Sequence, residues 1–108
     1  MLEGSLRVTV GDGVAFSFTV ANGGDEPVEV TFRDSGKADF VVYLDETEVW
    51  RWSEGRMFAQ MLQSARFEPG EEATFDAEWS TPDPGDYTAE AVLRIAEDEV
   101  TARTPFSV

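Results

Sequence analysis

The sequence contains no cysteine and no histidine, and Lys37 is its only lysine. Without cysteine there is no disulfide and no thiol nucleophile. Without histidine, the commonest general base, the commonest zinc ligand and every serine–histidine arrangement are gone. There is no GxxxxGK[ST] run, and the glycine pairs at Gly11/Gly13 and Gly23/Gly24 read as turns rather than a phosphate loop. The carboxylate pairs Glu71–Glu72 and Asp83/Asp86 lack the EF-hand spacing. They read as turn and solvated strand positions, because a glycosidase-like pair needs a cleft that small β-domains rarely have. No catalytic residue, metal site or cofactor is therefore expected. No apolar run reaches the roughly 20 residues of a membrane-spanning helix. The start, Met1 to Arg7, has no basic segment followed by an apolar one, so no signal peptide is expected and the chain reads as cytoplasmic.

Positive charge is also scarce. There are 22 acids against 8 bases, a net charge of −14. Nucleic acid is a poor partner for such a chain, since phosphate binding needs a basic footprint. Two readings of the acidity compete: a face for a basic partner, or adaptation to a salt-rich cytosol where screening removes self-repulsion. Lysine scarcity, with acids spread over many segments, favours the second.

What is present is core material in alternation. Hydrophobic residues make up 42% and aromatics 12% of 108 residues, enough for one folded domain over 1–108. Leu6, Val8 and Val10 alternate with Arg7 and Thr9, and Val14, Phe16, Phe18 and Val20 with Ala15, Ser17 and Thr19. The same period of two recurs through Val28–Phe32, Ala73–Trp79, Tyr87–Ile95 and Val100–Val108. Turn signals separate these runs at Gly11-Asp12-Gly13, Asn22-Gly23-Gly24-Asp25, Pro69-Gly70 and Pro84-Gly85. Pro-Gly suits a type II turn, where only glycine accepts the positive φ. Many short strands with tight turns predict an all-β, antiparallel sandwich of about seven to nine strands without a disulfide. Phe16, Phe18, Val30, Phe32, Val42, Phe75, Tyr87, Ala91 and Leu93 are its expected core.

Asp83-Pro84-Gly85-Asp86-Tyr87-Thr88-Ala89 sharpens this to an immunoglobulin-like sandwich. Its pattern matches the tyrosine corner, in which a tyrosine near the start of strand F bonds back to the main chain. Ala89 stands where that fold often has cysteine.

One stretch breaks the alternation. Phe40–Leu44 is apolar on both faces, as a central strand would be. Trp50 and Trp52 follow on one strand face with Arg51 on the other, then the turn-like Ser53-Glu54-Gly55-Arg56. Met57–Gln63 suits a strand or one helical turn equally. With catalysis disfavoured, binding is the expected role, and binding energy concentrates in Trp, Tyr and Arg. The candidate partner-binding residues are Trp50, Arg51, Trp52, Arg56, Met57 and Phe58. Closure of one end of the sandwich by the same aromatics is the competing reading.

The order Phe40-Val41-Val42-Tyr43, Val49-Trp50-Arg51-Trp52-Ser53, Met57-Phe58-Ala59-Gln60, Phe67-Glu68-Pro69-Gly70-Glu71, Trp79 and Pro84-Gly85-Asp86-Tyr87 resembles the intracellular proteinase inhibitor (BsuPI-type) domain. The resemblance runs from about Asn22 to Ile95. It implies a cysteine-free cytoplasmic sandwich, without a cofactor, that restrains a subtilisin-type serine protease. A non-inhibitory protein–protein interaction module of a salt-adapted cytosol is the alternative. The target and the oligomeric state are not legible at this level.

Overall fold

The computed structural model describes residues 1–97 and 99–108. They form nine strands and no helix: β1 (Leu2–Val10), β2 (Val14–Asn22), β3 (Val28–Phe32), β4 (Ala38–Leu44), β5 (Thr47–Arg51), β6 (Gln63–Phe67), β7 (Glu72–Trp79), β8 (Asp86–Leu93) and β9 (Val100–Ser107). Every pairing is antiparallel. One layer has the order β1-β2-β7 and the other β5-β4-β8-β9. The β3–β6 pair prolongs the β2–β7 ladder, whose register ends at Ala21↔Glu72 and resumes at Val28↔Phe67. Asn22, 1% exposed, fills this break. Its amide donates to the carbonyls of Glu26 (2.7 Å) and Phe67 (3.0 Å) and accepts from Gly24 N–H (3.0 Å). A buried amide satisfied in this way lets the ladder bend without orphaned polar groups.

The period of two sets which side chains meet between the layers. Phe16 and Phe18 of β2 face Phe40 of β4 at centroid distances of 6.1 and 6.4 Å. Val14, Val20, Val42, Tyr87, Ala89, Ala91, Leu93 and Ile95 belong to the same core. Eight of the nine expected core residues are buried, and Phe75 is half-buried against the cluster. Trp79 at the end of the edge strand β7 packs there too.

The turns divide into expected and corrected ones. Gly11-Asp12-Gly13 closes the β1–β2 hairpin. Pro69-Gly70 is a type II turn, with Gly70 at φ +81° and Glu71 N–H bonded to the Glu68 carbonyl at 2.9 Å. Pro84-Gly85 is not one, because Gly85 is absent from the positive-φ residues. Gly85 instead pairs with Val108 through two main-chain hydrogen bonds. A Cβ there would lie 3.3 Å from the Tyr87 ring, so glycine serves a close approach. The tyrosine corner holds: Tyr87 hydroxyl donates to the Asp83 carbonyl at 2.6 Å.

The segment from Met57 to Leu62 is neither strand nor helical turn, and β6 begins only at Gln63. Its apolar residues satisfy both periods in the sequence because they are not all used for one face. Phe58 turns inward while Met57, Met61 and Leu62 turn out.

Candidate functional site

The connection between β5 and β6 is the longest irregular stretch among the described residues. It begins where β4 hands over to β5. Asp45 and Glu46, with φ of 48° and 71°, make a two-residue hairpin turn. A register shift then leaves Val49 without a direct partner and sets Trp50 opposite Val42. That bulge turns Trp50 and Trp52 toward the core and Arg51 to the outer face.

Asp39 anchors the root of the loop. It lies on β4, 4% exposed, and accepts hydrogen bonds from Arg51 Nη1 (3.1 Å), Ser53 N–H (3.1 Å), Ser53 Oγ (2.6 Å) and Phe40 N–H (2.8 Å). Burying a carboxylate is costly unless its oxygens are hydrogen-bonded and paired in this way. Arg51 also pairs with Glu48 at 2.7 Å. Its pKa is pushed above the ordinary range, chiefly by the Glu48 hydrogen bond, against partial burial and with Asp39 adding to the rise.

The loop then turns at Ser53–Arg56. Gly55 supplies φ +78° and Arg56 N–H bonds to the Ser53 carbonyl at 3.1 Å. Its walls are fixed on Trp52. The Arg56 guanidinium lies 4.5 Å from the Trp52 ring centroid, and its Nε donates to the Trp52 carbonyl at 2.7 Å. Phe58 stacks on Trp52 at 5.6 Å, and Arg94, itself paired with Asp34 at 2.8 Å, lies 5.7 Å from the Phe58 ring. Cation–π and ring contacts of this kind contribute about 0.5–1.5 kcal/mol each. A last tie joins Ala59 to Ser35 in both directions, at 3.1 and 2.9 Å. Gly36 makes room for it: a Cβ there would lie 3.2 Å from the Phe58 ring and 2.9 Å from Asp34 Oδ1.

Between the two pinned side chains, Met57 is 98% exposed. Met61 and Leu62 follow at 53% and 74%. The six residues singled out from the sequence thus divide. Trp50 is half-buried, between Phe16 (5.6 Å) and Trp79 (5.9 Å). Arg51 is held by two carboxylates. Trp52, Arg56 and Phe58 form one stack, and Met57 projects from it. Sequence reasoning missed Asp39, Ser35, Gly36 and Arg94. Only Asp39 left a signal, as a lone acid between Ala38 and the doubly apolar Phe40–Leu44 run.

Among the described residues no group of three or more Asp and Glu is placed to hold a metal ion. A hollow of about 500 Å³ beside Asp39 is lined by Arg33, Arg51, Arg94, Glu97 and Glu99, charges of both signs. Arg51 and Arg94 are already committed there to Asp39 and Asp34.

Fold and loop together define the class: a cysteine-free, antiparallel immunoglobulin-like sandwich with a braced loop at one end. Two solved structures share that fold over the whole of this chain. The CARDB domain of the PF1109 protein from Pyrococcus furiosus, in complex with di-metal ions, is 17% identical, is covered over 92% of its length and has a TM-score of 0.54. A β-glucosidase from Kluyveromyces marxianus is 16% identical, is covered over 14% of its length and has a TM-score of 0.53. The family model of the intracellular proteinase inhibitor, BsuPI, matches residues 2–98, and the chain belongs to that family. No curated protein matches the sequence.

Proposed function

We propose that this chain is a non-catalytic, cytoplasmic inhibitor of a subtilisin-type serine protease, and that the β5–β6 loop is what it inserts into the protease cleft. The observation that carries this reading is Met57, 98% exposed between Arg56 and Phe58, which both pack on Trp52. An inhibitor loop has to present its bait without losing much entropy on docking, so bracing on both sides of a projecting side chain is the expected construction. Arg56, Met57 and Phe58 are the side chains of the loop that suit a specificity pocket. Arg56 is bonded to the Trp52 carbonyl and Phe58 is stacked on the Trp52 ring, so neither is free to enter it. Met57 therefore fills the pocket, which has to be large and apolar rather than acidic. Met61 and Leu62 add apolar contact beside it. Trp50, Arg51, Trp52 and Phe58 act as supports.

Among the described residues β5 is an edge strand, paired only with β4. Its free main-chain groups suit strand addition to an extended segment of the protease. The acidity belongs to the surroundings rather than to the site. The outward positions of β7 include Glu72, Asp76 and Glu78, opposite the neutral Ala21, Ser17 and Ala15 of β2. Such a face is self-repelling in dilute buffer and comfortable in concentrated salt.

The test is stoichiometric inhibition of subtilisin by the wild-type protein and by Met57→Ala, each checked for an unchanged melting temperature. Inhibition should weaken by roughly tenfold or more in the variant. Equal inhibition by both places the site elsewhere. A wild-type protein that stays uncut and leaves turnover unchanged is the non-inhibitory interaction module instead.

A further inference from the structure

We infer that Met57 is an oxidation site through which peroxide switches the inhibitor off. The inference rests on the reading of Met57 as the side chain that enters the protease pocket.

The chain has no cysteine, so thioethers are its only sulfur. Of its three methionines, Met57 is the most exposed, at 98%, against 73% for Met1 and 53% for Met61. Exposure decides which thioether meets a dissolved oxidant first. The neighbouring oxidisable ring, Trp52, is half-buried, with the Arg56 guanidinium and the Phe58 ring packed against it. The loop therefore offers oxidants the same atom group that it offers the protease.

The chemistry needs only a hydroperoxide. The Met57 sulfur takes the terminal oxygen of ROOH and the O–O bond breaks. The sulfide becomes a sulfoxide and the peroxide leaves as ROH, water when R is hydrogen, with no net proton change. The product has a strongly polar S–O group on a side chain of nearly the same length. Burying that group in an apolar pocket without a donor is unfavourable. The fold is untouched, because no contact of the Arg56–Trp52–Phe58 stack involves the Met57 side chain and open solvent surrounds it. Sulfoxide formation is reversible by methionine sulfoxide reductases, one for each epimer, so the switch resets.

The experiment treats purified wild-type protein and Met57→Leu with hydrogen peroxide and removes the peroxide. Mass spectrometry then locates the added oxygen, and inhibition of subtilisin is measured. The expected result is one oxygen on Met57, inhibition weaker by roughly tenfold or more, and recovery on treatment with both reductases. Leucine carries no sulfur, so whatever inhibition Met57→Leu shows before treatment is its own baseline and should be unchanged by peroxide. Undiminished inhibition by protein oxidised at Met57 overturns the inference and leaves the loop reading standing. Equal inactivation of Met57→Leu also overturns it, by placing the sensitive group elsewhere. If reduced wild type fails to inhibit, or Met57→Ala inhibits as wild type does, the functional reading falls and the inference falls with it.

Discussion

Trp50 and Trp52 are two residues apart, but β5 ends at Arg51, so Trp50 is on the strand and Trp52 opens the loop, and the molecule uses them in opposite ways. Trp50 lies inside a continuous ring series, Phe16–Trp50–Trp79–Tyr87–Phe106, whose successive centroids are 5.2–5.9 Å apart. That series draws on β2, β5, β7, β8 and β9, so it binds the two layers together. Trp52 meets the core at Phe40 (6.4 Å) and packs against Phe58 and Arg56 of the loop. Two of its three ring partners come from the loop, and only Phe40 ties it to the core. The difference is one of sequence distance. Trp50 is fixed by strands far along the chain, whereas two of the contacts of Trp52 lie within six residues of it. A ring held by distant strands reports on global stability. A ring held by its own loop reports on loop shape.

Replacement of each ring by alanine is the direct way to break this comparison. Trp50→Ala should cost about 3 kcal/mol or more, read from urea unfolding, because a large ring leaves a cavity between two layers. Trp52→Ala should cost only about 1–2 kcal/mol, the ring and cation–π contacts alone, yet weaken protease inhibition by at least as much as Met57→Ala. Equal stability losses, or unimpaired inhibition by folded Trp52→Ala, would remove the distinction.

Asp39 joins the two regions, being on the core sheet and bonded to Arg51 and Ser53 of the loop root. Asp39→Ala should cost about 2 kcal/mol in the same unfolding measurement, since Arg51 is left without its buried partner but can turn to water and Glu48. It should loosen the loop as well, seen as faster proteolytic nicking between Ser53 and Leu62. A loop that stays as resistant as in the wild type would show that the Trp52 stack suffices to hold it.

Tyr87→Phe sharpens the core side. It keeps the ring against Trp79 and deletes only the bond to the Asp83 carbonyl. About 1 kcal/mol should be lost, with inhibition unchanged. Salt acts on neither ring series directly. Raising potassium chloride to molar levels shortens the screening length to roughly 3 Å, which should lift the melting temperature by several degrees. A flat or falling curve would mean that the acids are placed neutrally.

The strands were legible because their alternation is local and each half-buried face repeats every second residue. Phe16, Phe18, Tyr87 and Leu93 were read as core from that period alone, and all four are buried. The two Pro-Gly dipeptides show where local reading stops. They are identical in sequence, yet Gly70 takes φ +81° in a turn while Gly85 makes room for a ring and pairs with Val108. The Asp45–Glu46 hairpin carried no glycine or asparagine to announce it.

The candidate site was legible only as a composition. The tryptophans, arginine and methionines between Trp50 and Met61 marked a region, and the Ser53–Arg56 turn within it was readable from Gly55. Which of these residues face inward was not, because a bulge at Val49 and an irregular Met57–Leu62 segment obey no period. By itself, then, the sequence determined the two-layer β architecture, the absence of thiol and imidazole chemistry and the surplus of negative charge, all properties that local pattern and composition carry. The tertiary structure decided that Trp50 is core and Trp52 a platform, that Asp39 anchors the loop and that Met57 projects between Arg56 and Phe58. Those outcomes depend on Trp79, which reaches Trp50 on β5, and on Ser35, Gly36, Asp39 and Arg94, which reach the loop from other strands and turns only once the layers have closed.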